Sequence, residues 1–172
     1  MNYNVGIIGP ESTGKSSLAR YLAKRYKGTY VPEYARTYVE QKGTTEVSFD
    51  ELCEIARYQI EQIKSYSEAV CQAKPVCTLS AQRSNSEVVF FDTELIVTKV
   101  WFDYAFGKVP VWFEEAIRQY PMDVYLLTYP DLPWVPDPAR SNGSDEIRQK
   151  LFQRYESEIQ ALDIPYYIIK HC

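Results

Sequence analysis

Residues 9–16 read GPESTGKS and carry the residue types that bind phosphate at the spacing that phosphate binding requires. The segment matches the pattern GxxxxGK[ST], with an apolar run before it and a helix-like segment after it. In such a loop the backbone N–H groups face phosphate oxygens, and the following helix N-terminus adds partial positive charge. We expect Lys15 to contact the β- and γ-phosphates of a nucleoside triphosphate, and Ser16 to bind Mg²⁺. The predicted nucleotide-binding residues are Gly9, Glu11, Ser12, Thr13, Gly14, Lys15, Ser16 and Ser17.

An acidic residue, Asp92, directly follows the continuous apolar run at residues 88–91. Such a run is typical of a central parallel strand that is buried on both faces. A carboxylate at the end of this strand could hold Mg²⁺ together with Ser16, directly or through water. Aspartate is also favoured as a helix cap at such a position, so that role stays open. Because of the motif at residues 9–16, we favour the metal role.

The segment at residues 33–36, EYAR, follows a second short apolar stretch and carries groups suited to a phosphate acceptor. Glu33 could accept the proton of the hydroxyl group that is phosphorylated, and Arg36 could bind phosphate or orient the acceptor. The alternative is a first-turn glutamate stabilised by the helix dipole and a surface arginine. Both interpretations stay open. Tyr34, between them, is a candidate contact for the acceptor.

A proline-rich stretch at residues 130–143 contains WVPDPAR and precedes a helix that Ser144 should cap. We interpret residues 130–148 as a lid in which Arg140 stabilises charge on the transferred phosphoryl group. A solvated loop charge is the alternative for Arg140, and Arg148 is either a lid residue or a surface residue of the helix. Trp134 could stack on a ring or pack against the base of the lid.

Strand-like and helix-like segments alternate along the chain. Strands are expected at about 3–8, 29–31, 88–91, 124–128 and 166–169, and helices at about 15–26, 32–41, from 48 onward, 93–106, 111–119 and 144–162. This order predicts an α/β fold, a three-layer arrangement with a five-stranded parallel sheet flanked by helices, plus a lid loop. The aromatic stripe at 100–104 is interpreted as core. Residues 72–86 read as a long insertion loop.

The composition narrows the class of protein. A length of 172 residues predicts one domain over residues 1–172, and a net charge of −4 gives no general attraction for nucleic acid or anionic membranes. The sequence has no apolar run of membrane-spanning length and no signal-peptide block. The four cysteines form no CxxC pair and His171 is the only histidine, so a zinc site is not expected. These features favour a cytoplasmic protein with a small-molecule partner.

The chain resembles the ribosylnicotinamide kinase domain at the C-terminus of NadR regulators and its stand-alone relatives, within the P-loop, AAA-like ATPases. The matching segments lie at residues 9–16, 33–36, 91–94 and 133–141, in the family's order and over almost the whole chain. The last three segments together are much more specific than the first, which many ATPases share. One position departs from the family: Pro32 stands where the family carries a tryptophan. Tyr34 or Trp134 could replace that aromatic side chain.

The resemblance implies transfer of the γ-phosphoryl group of ATP, with Mg²⁺, to the 5′-hydroxyl of nicotinamide riboside or a related nucleoside. By position it implies that Lys15 and Ser16 hold ATP and magnesium, that Asp92 is the Walker B acid, that Glu33 and Arg36 face the riboside, and that Arg140 is the lid arginine. The alternative from another class is an ATP-binding switch with slow ATPase activity that recruits a protein partner. The sequence leaves the choice between ATP and GTP open.

Overall fold

The computed structural model describes residues 2–68, 87–135 and 144–171. Strands and helices alternate along these residues as the sequence predicted. The elements are β1 (Tyr3–Ile8), α1 (Lys15–Tyr26), β2 (Thr29–Val31), α2 (Tyr34–Lys42), α3 (Phe49–Glu68), β3 (Val88–Asp92), α4 (Leu95–Phe106), α5 (Val111–Gln119), β4 (Val124–Thr128), α6 (Asp145–Ala161) and β5 (Tyr166–Ile169).

The five strands form one parallel sheet in the order β2-β3-β1-β4-β5. β1 lies at the centre, where Val5 pairs with Phe90 on one side and with Val124 on the other. In a parallel sheet the carboxyl ends of all strands meet at one edge. The segments that follow β1, β2, β3 and β4 therefore converge there, and these segments contain most of the predicted site residues.

Helices cover both faces of the sheet, which confirms the predicted three-layer α/β architecture. On one face α1 buries Ala19 and Ala23 against Val5, Ile7 and Phe90. The larger core on the other face packs α3, α4, α5 and α6 against the sheet. β1 can serve both cores because successive side chains of a strand point to opposite faces. The sheet is thus buried on both sides, as its apolar strands require.

The predicted capping box at the start of α3 is present. The Ser48 N–H donates to Glu51 Oε2 at 2.8 Å, and the Glu51 N–H donates to Ser48 Oγ at 3.3 Å. A hydrogen bond from Lys42 also stabilises the carboxylate and holds the pKa of Glu51 at about 2. These contacts fix the entry of α3, the helix that forms one wall of the cavity described below.

Two predicted boundaries differ from the structure. α4 begins at Leu95 rather than near 93, because Thr93 has a φ of 70° and Glu94 caps the helix by accepting a hydrogen bond from the Ile96 N–H at 2.9 Å. The predicted lid, 130–148, runs into α6, whose first turn contains residues 145–148. The predicted insertion loop at 72–86 lies outside the described residues. Among the described helices, none has the length and apolar character needed to span a membrane.

Candidate nucleotide and acceptor site

The segment that joins β1 to α1, residues 9–16, forms a tight turn at the carboxyl edge of the sheet; we call it the phosphate loop. Three of its residues have positive φ angles: Gly9 at 147°, Ser12 at 55° and Gly14 at 75°. A Cβ atom on Gly9 would overlap Thr128 Oγ1 and lie 2.7 Å from the Thr128 carbonyl oxygen. Glycine at position 9 is therefore required both by backbone angle and by space.

Hydroxyl groups hold the phosphate loop against the end of β4. Thr13 Oγ1 donates to the Pro10 carbonyl at 2.8 Å and lies 2.6 Å from Thr128 Oγ1, which contacts the Ile8 carbonyl at 3.1 Å. Thr13 and Thr128 are fully buried, so these bonds satisfy groups that would otherwise be costly to bury. Thr128 was missed by the sequence reasoning. Its only sequence signal is its place as the last residue of a buried strand.

Lys15 opens α1 with its side chain folded back over the phosphate loop. It is buried, with an exposed fraction of 6%, and its ammonium donates to the Pro10 carbonyl at 2.6 Å. The ammonium therefore lies beside the phosphate loop, which leads into the N-terminus of α1. Such an arrangement favours the binding of an anion with several oxygens, as in a polyphosphate. Ser16, half-buried, follows in the first turn of α1.

Asp92 is the last residue of β3 and pairs with Ile7 of β1, two residues before the phosphate loop. Its side chain is 1% exposed; Oδ2 accepts a hydrogen bond from the Tyr30 hydroxyl at 3.0 Å, and Oδ1 has no hydrogen-bond partner among the described residues. Burial and the neighbouring carboxylate raise the pKa of Tyr30, so its hydroxyl stays a donor. A buried carboxylate oxygen without a partner is suited to a cation or to its bound water. The helix-cap alternative for Asp92 is not realised, because Glu94 caps α4.

The described residues contain no group of three or more His, Cys, Asp or Glu side chains placed to hold a metal ion. The magnesium ligands expected from the sequence are instead one carboxylate, Asp92, and one hydroxyl, Ser16. This set fits Mg²⁺, which in phosphoryl-transfer sites takes one or two protein ligands and completes its shell with water and substrate phosphates. It does not fit a structural zinc ion, which takes nitrogen and sulfur ligands.

Glu94 is a buried acid that the sequence reasoning did not single out. Burial raises the pKa of its carboxyl to about 8, although hydrogen bonds from the Ile96 and Leu95 N–H groups and from Tyr125 oppose the rise. Tyr125 is itself buried, and burial together with Glu94 raises the pKa of its phenol. Glu94 therefore carries a proton at neutral pH and serves as an uncharged cap of α4 beside Asp92.

The acceptor residues predicted from EYAR lie where β2 passes into α2. Glu33 occupies the N-cap position of α2, and its side chain is 19% exposed. Arg36 lies one turn further, with Nε 3.9 Å from Glu33 Oε2 and Nη1 3.4 Å from Glu40 Oε1. Glu33 and Arg36 both line the same cavity as Lys15. The structure thus brings the predicted acceptor residues and the predicted phosphate lysine to one site.

The two aromatic residues proposed from sequence for acceptor contact lie elsewhere. Tyr34 stacks on Tyr58, with ring centroids 3.7 Å apart and planes at 17°. Trp134 is half-buried near the base of the predicted lid, and its Nε1 has no hydrogen-bond partner among the described residues. Neither residue lines the cavity that holds Lys15 and Glu33. The aromatic residues that do line this cavity are Trp101, Phe106 and Tyr155.

Arg148 is not the surface residue that the sequence left open as one alternative, and it bonds to Leu132 and Asp145 within the predicted lid. It is fully buried, and its guanidinium donates to the Glu11 carbonyl at 3.2 Å through Nε, to the Leu132 carbonyl at 2.8 Å through Nη2, and to Asp145 Oδ1 at 3.1 Å through Nη1. Arg148 therefore links the phosphate loop, the segment after β4 and the first turn of α6. The predicted lid residue Arg140 lies outside the described residues.

The cavity beside the phosphate loop has a volume of about 220 Å³. Since a water molecule needs only about 10–15 Å³ of such space, the cavity admits a molecule of many atoms. Helices α2, α3, α4 and α6 line most of the rest of it, and the connection between α2 and α3 contributes Thr45 and Val47. Trp101 of α4 packs against the larger core, as expected for the 100–104 stripe, and is also one of the lining residues. Tyr104 of that stripe is 54% exposed.

The fold and the phosphate loop define a P-loop nucleotide-binding domain. The family described as "AAA domain" matches residues 4–172, and the chain belongs to that family. The chain is also 29% identical over 150 residues to the trifunctional NAD biosynthesis/regulator protein NadR of Salmonella typhimurium and to that of Escherichia coli. Each match covers 87% of this chain and 33% of NadR, so the chain spans about a third of the length of these relatives.

Solved structures of NadR are also similar to this chain. The structure of NadR in complex with NAD and AMP-PNP aligns with a TM-score of 0.67 and 25% identity, covering 99% of this chain and 45% of that one. The structure of NadR in complex with NR aligns with the same TM-score at 24% identity, covering 97% and 43%. These alignments confirm the predicted resemblance and the predicted fold.

Proposed function

We propose that this protein is a small-molecule kinase that transfers the γ-phosphoryl group of ATP, as its Mg²⁺ complex, to a hydroxyl group of a nucleoside. Nicotinamide riboside is the acceptor that we propose first, since NadR has been solved with NR and with AMP-PNP. The single observation that carries the proposal is the shared cavity. Lys15 of the phosphate loop lines the same 220 Å³ space as Glu33 and Arg36.

The shared cavity matters because phosphoryl transfer depends mainly on positioning and charge neutralisation. Lys15 and the N–H groups of the phosphate loop would hold the polyphosphate. Ser16 and Asp92 would hold the Mg²⁺ that accompanies ATP. Asp92 Oδ1, which has no hydrogen-bond partner in the described part of the chain, is the available oxygen. These assignments match residue types to the local geometry.

Glu33 is the proposed acceptor of the hydroxyl proton. It lines the cavity at the start of α2, with no hydrogen bond from its side chain to the N-terminus of that helix. Arg36 Nε lies 3.9 Å from Glu33 Oε2, and Arg36 lines the same space. We propose that Arg36 orients the acceptor and that Arg140 stabilises charge on the transferred group. Expected partners are thus small molecules.

The proposal is tested by measuring ADP formation from ATP and Mg²⁺ with a panel of nucleosides that includes nicotinamide riboside. We expect little ADP without an acceptor and a large stimulation by at least one nucleoside. Lys15→Ala and Asp92→Asn should each lower turnover by at least about a hundredfold, because Lys15 neutralises phosphate charge and Asp92 holds the Mg²⁺ that does the same. Lys24→Ala, an exposed lysine at the end of α1, is the matched control and should retain full turnover.

The contrary outcome is slow hydrolysis of ATP that no nucleoside stimulates. That result would support the other class of function, an ATP-dependent switch that recruits a protein partner. Full turnover in both Lys15→Ala and Asp92→Asn would contradict the assigned chemistry, even if a nucleoside were phosphorylated. Circular dichroism of each variant ensures that a loss of turnover is not a loss of fold.

A further inference from the structure

The cavity changes character along its length. The charged residues that line it are Glu11, Lys15, Glu33 and Arg36, and they belong to the phosphate loop and the start of α2. We call this part the phosphate end. Further from it, the lining residues are uncharged; this part, defined by Thr45, Val47, Thr98, Trp101, Ala105 and Phe106, we call the ring end.

Helix α4 shows how far the cavity extends. The helix begins three residues after Asp92, and its residues line the cavity from Val97 to Phe106. At 1.5 Å per residue this stretch measures about 13 Å along the helix axis. The cavity therefore extends along α4 away from the carboxyl end of β3, where Asp92 lies. The ring end is available to the part of an acceptor that does not react.

The ring end offers an aromatic surface and few hydrogen-bonding groups. Trp101 is half-buried there, with its ring 5.6 Å from that of Tyr104 and nearly perpendicular to it. The Thr98 hydroxyl donates to Gln59 Oε1 at 2.7 Å, so toward the cavity it can only accept. Among the described lining residues, no charged side chain belongs to this end. Such a surface binds a flat ring, neutral or cationic, by stacking on its π face and by exclusion of water.

We infer that Trp101 is the residue that binds the planar ring of the acceptor, with the ring at the ring end and the reacting hydroxyl at the phosphate end. This inference rests on the proposed kinase function and deepens it. Two consequences follow from the chemistry of the ring end. Recognition of the ring depends on its shape and its π face, and discrimination among rings of similar size is weak, because few buried polar groups would be left unpaired by a wrong ring.

The inference is tested by steady-state kinetics of Trp101→Leu, with Trp101→Phe as the conservative variant and Trp112→Leu as the matched control. Trp112 is also half-buried and lies on the neighbouring α5, but it contacts Arg57 and does not line the cavity. We expect Trp101→Leu to raise the KM for the nucleoside roughly tenfold, the size expected for loss of one aromatic stack, and to leave the KM for ATP unchanged. Trp101→Phe should recover most of the affinity. Trp112→Leu should change neither KM.

A second measurement compares acceptors that share one sugar. Nicotinamide riboside, uridine, cytidine and adenosine should differ in kcat/KM by less than about a hundredfold. Ribose, which lacks a ring, should be worse than the best of them by at least about tenfold. The inference is overturned if ribose is as good an acceptor as the nucleosides, or if Trp101→Leu leaves the nucleoside KM within twofold of the wild-type value.

The outcomes separate this inference from the proposed function. If the wild-type protein phosphorylates a nucleoside and Trp101→Leu raises both KM values equally, Trp101 has only a structural role and the kinase function stands. If the wild-type protein phosphorylates no nucleoside, the kinase function is wrong. Quenching of tryptophan fluorescence by nicotinamide riboside then tests the ring end without turnover. Quenching that is lost in Trp101→Phe supports binding of the ring at Trp101. Quenching that is unchanged in Trp101→Phe overturns it.

Discussion

Gly9 and Gly43 differ in how much space a side chain would have. Both have a positive φ, 147° and 76°, so any other residue is strained at either position. A Cβ on Gly9 would also collide with Thr128, whereas a Cβ on Gly43 would meet nothing within 4 Å. The two positions therefore separate the cost of backbone strain from the cost of displacing the phosphate loop.

We predict that Gly9→Ala weakens ATP binding by at least about tenfold, because the loop must move away from Thr128 and its N–H groups lose their alignment. Gly43→Ala should cost about 1 kcal/mol of stability through strain alone and leave ATP binding unchanged. Titration calorimetry with ATP and Mg²⁺ measures the ATP affinity of both variants, and urea unfolding measures the loss of stability. Equal affinities for ATP in the two variants would contradict this account of the loop.

At the scale of elements, α6 is linked to the phosphate loop by one buried side chain. Arg148 bonds to the Glu11 carbonyl and to the Leu132 carbonyl, and its side chain is 1% exposed. Arg154, two turns further along α6, is 50% exposed and pairs with Asp103 at 2.7 Å. The first arginine thus positions a binding element, whereas the second forms an ion pair on the surface.

Replacement of Arg148 by Met should lower the free energy of unfolding by about 1–3 kcal/mol, because two carbonyl groups lose their donor. It should also raise the KM for ATP more than it lowers kcat, since Glu11 would no longer be held in place. Arg154→Met is the control and should change stability by less than about 1 kcal/mol. Urea unfolding and steady-state kinetics give both values. A normal KM for ATP in Arg148→Met would limit Arg148 to a structural role.

The same scale shows what the sequence could and could not predict. Residues 9–16 follow a local pattern, and the apolar runs of β1, β3 and β4 follow from burial on both faces, so the loop and the sheet were predictable. Periodicity placed one side of α4 in the core, but Tyr104 on that side is 54% exposed and Phe102, outside it, is fully buried. Periodicity also could not show that Trp101 lines a cavity. The burial of Arg148 was also missed, since its partners come from segments distant in sequence.

At the scale of the whole molecule, one buried acid links folding to pH. Glu94 lies between the sheet and α4, and its pKa in the folded protein is about 8, compared with an ordinary value of 4.5. Folding therefore favours the protonated form. The protonated Glu94 carboxyl therefore contributes to the free energy of unfolding. This contribution is complete below pH 4.5 and is lost as the pH rises through 8.

Between pH 4.5 and 8, Glu94 should lower the free energy of unfolding by up to about 1.4 kcal/mol per pH unit as the pH rises. Glu94→Gln keeps the shape without the proton equilibrium and should remove this slope, so the variant gains stability relative to wild type toward pH 8. Urea unfolding at a series of pH values measures the difference. Parallel curves for the two proteins would show that Glu94 is not protonated in the folded state.

The most direct test of the central claim, that the phosphate loop and the cavity behind it form one kinase site, follows the γ-phosphoryl group itself. ATP labelled in that group is incubated with the protein, Mg²⁺ and nicotinamide riboside or another nucleoside, and the products are separated. The account predicts that the label appears in a nucleoside monophosphate in a one-to-one ratio with ADP. Label released only as inorganic phosphate, at the same rate with and without a nucleoside, would contradict it.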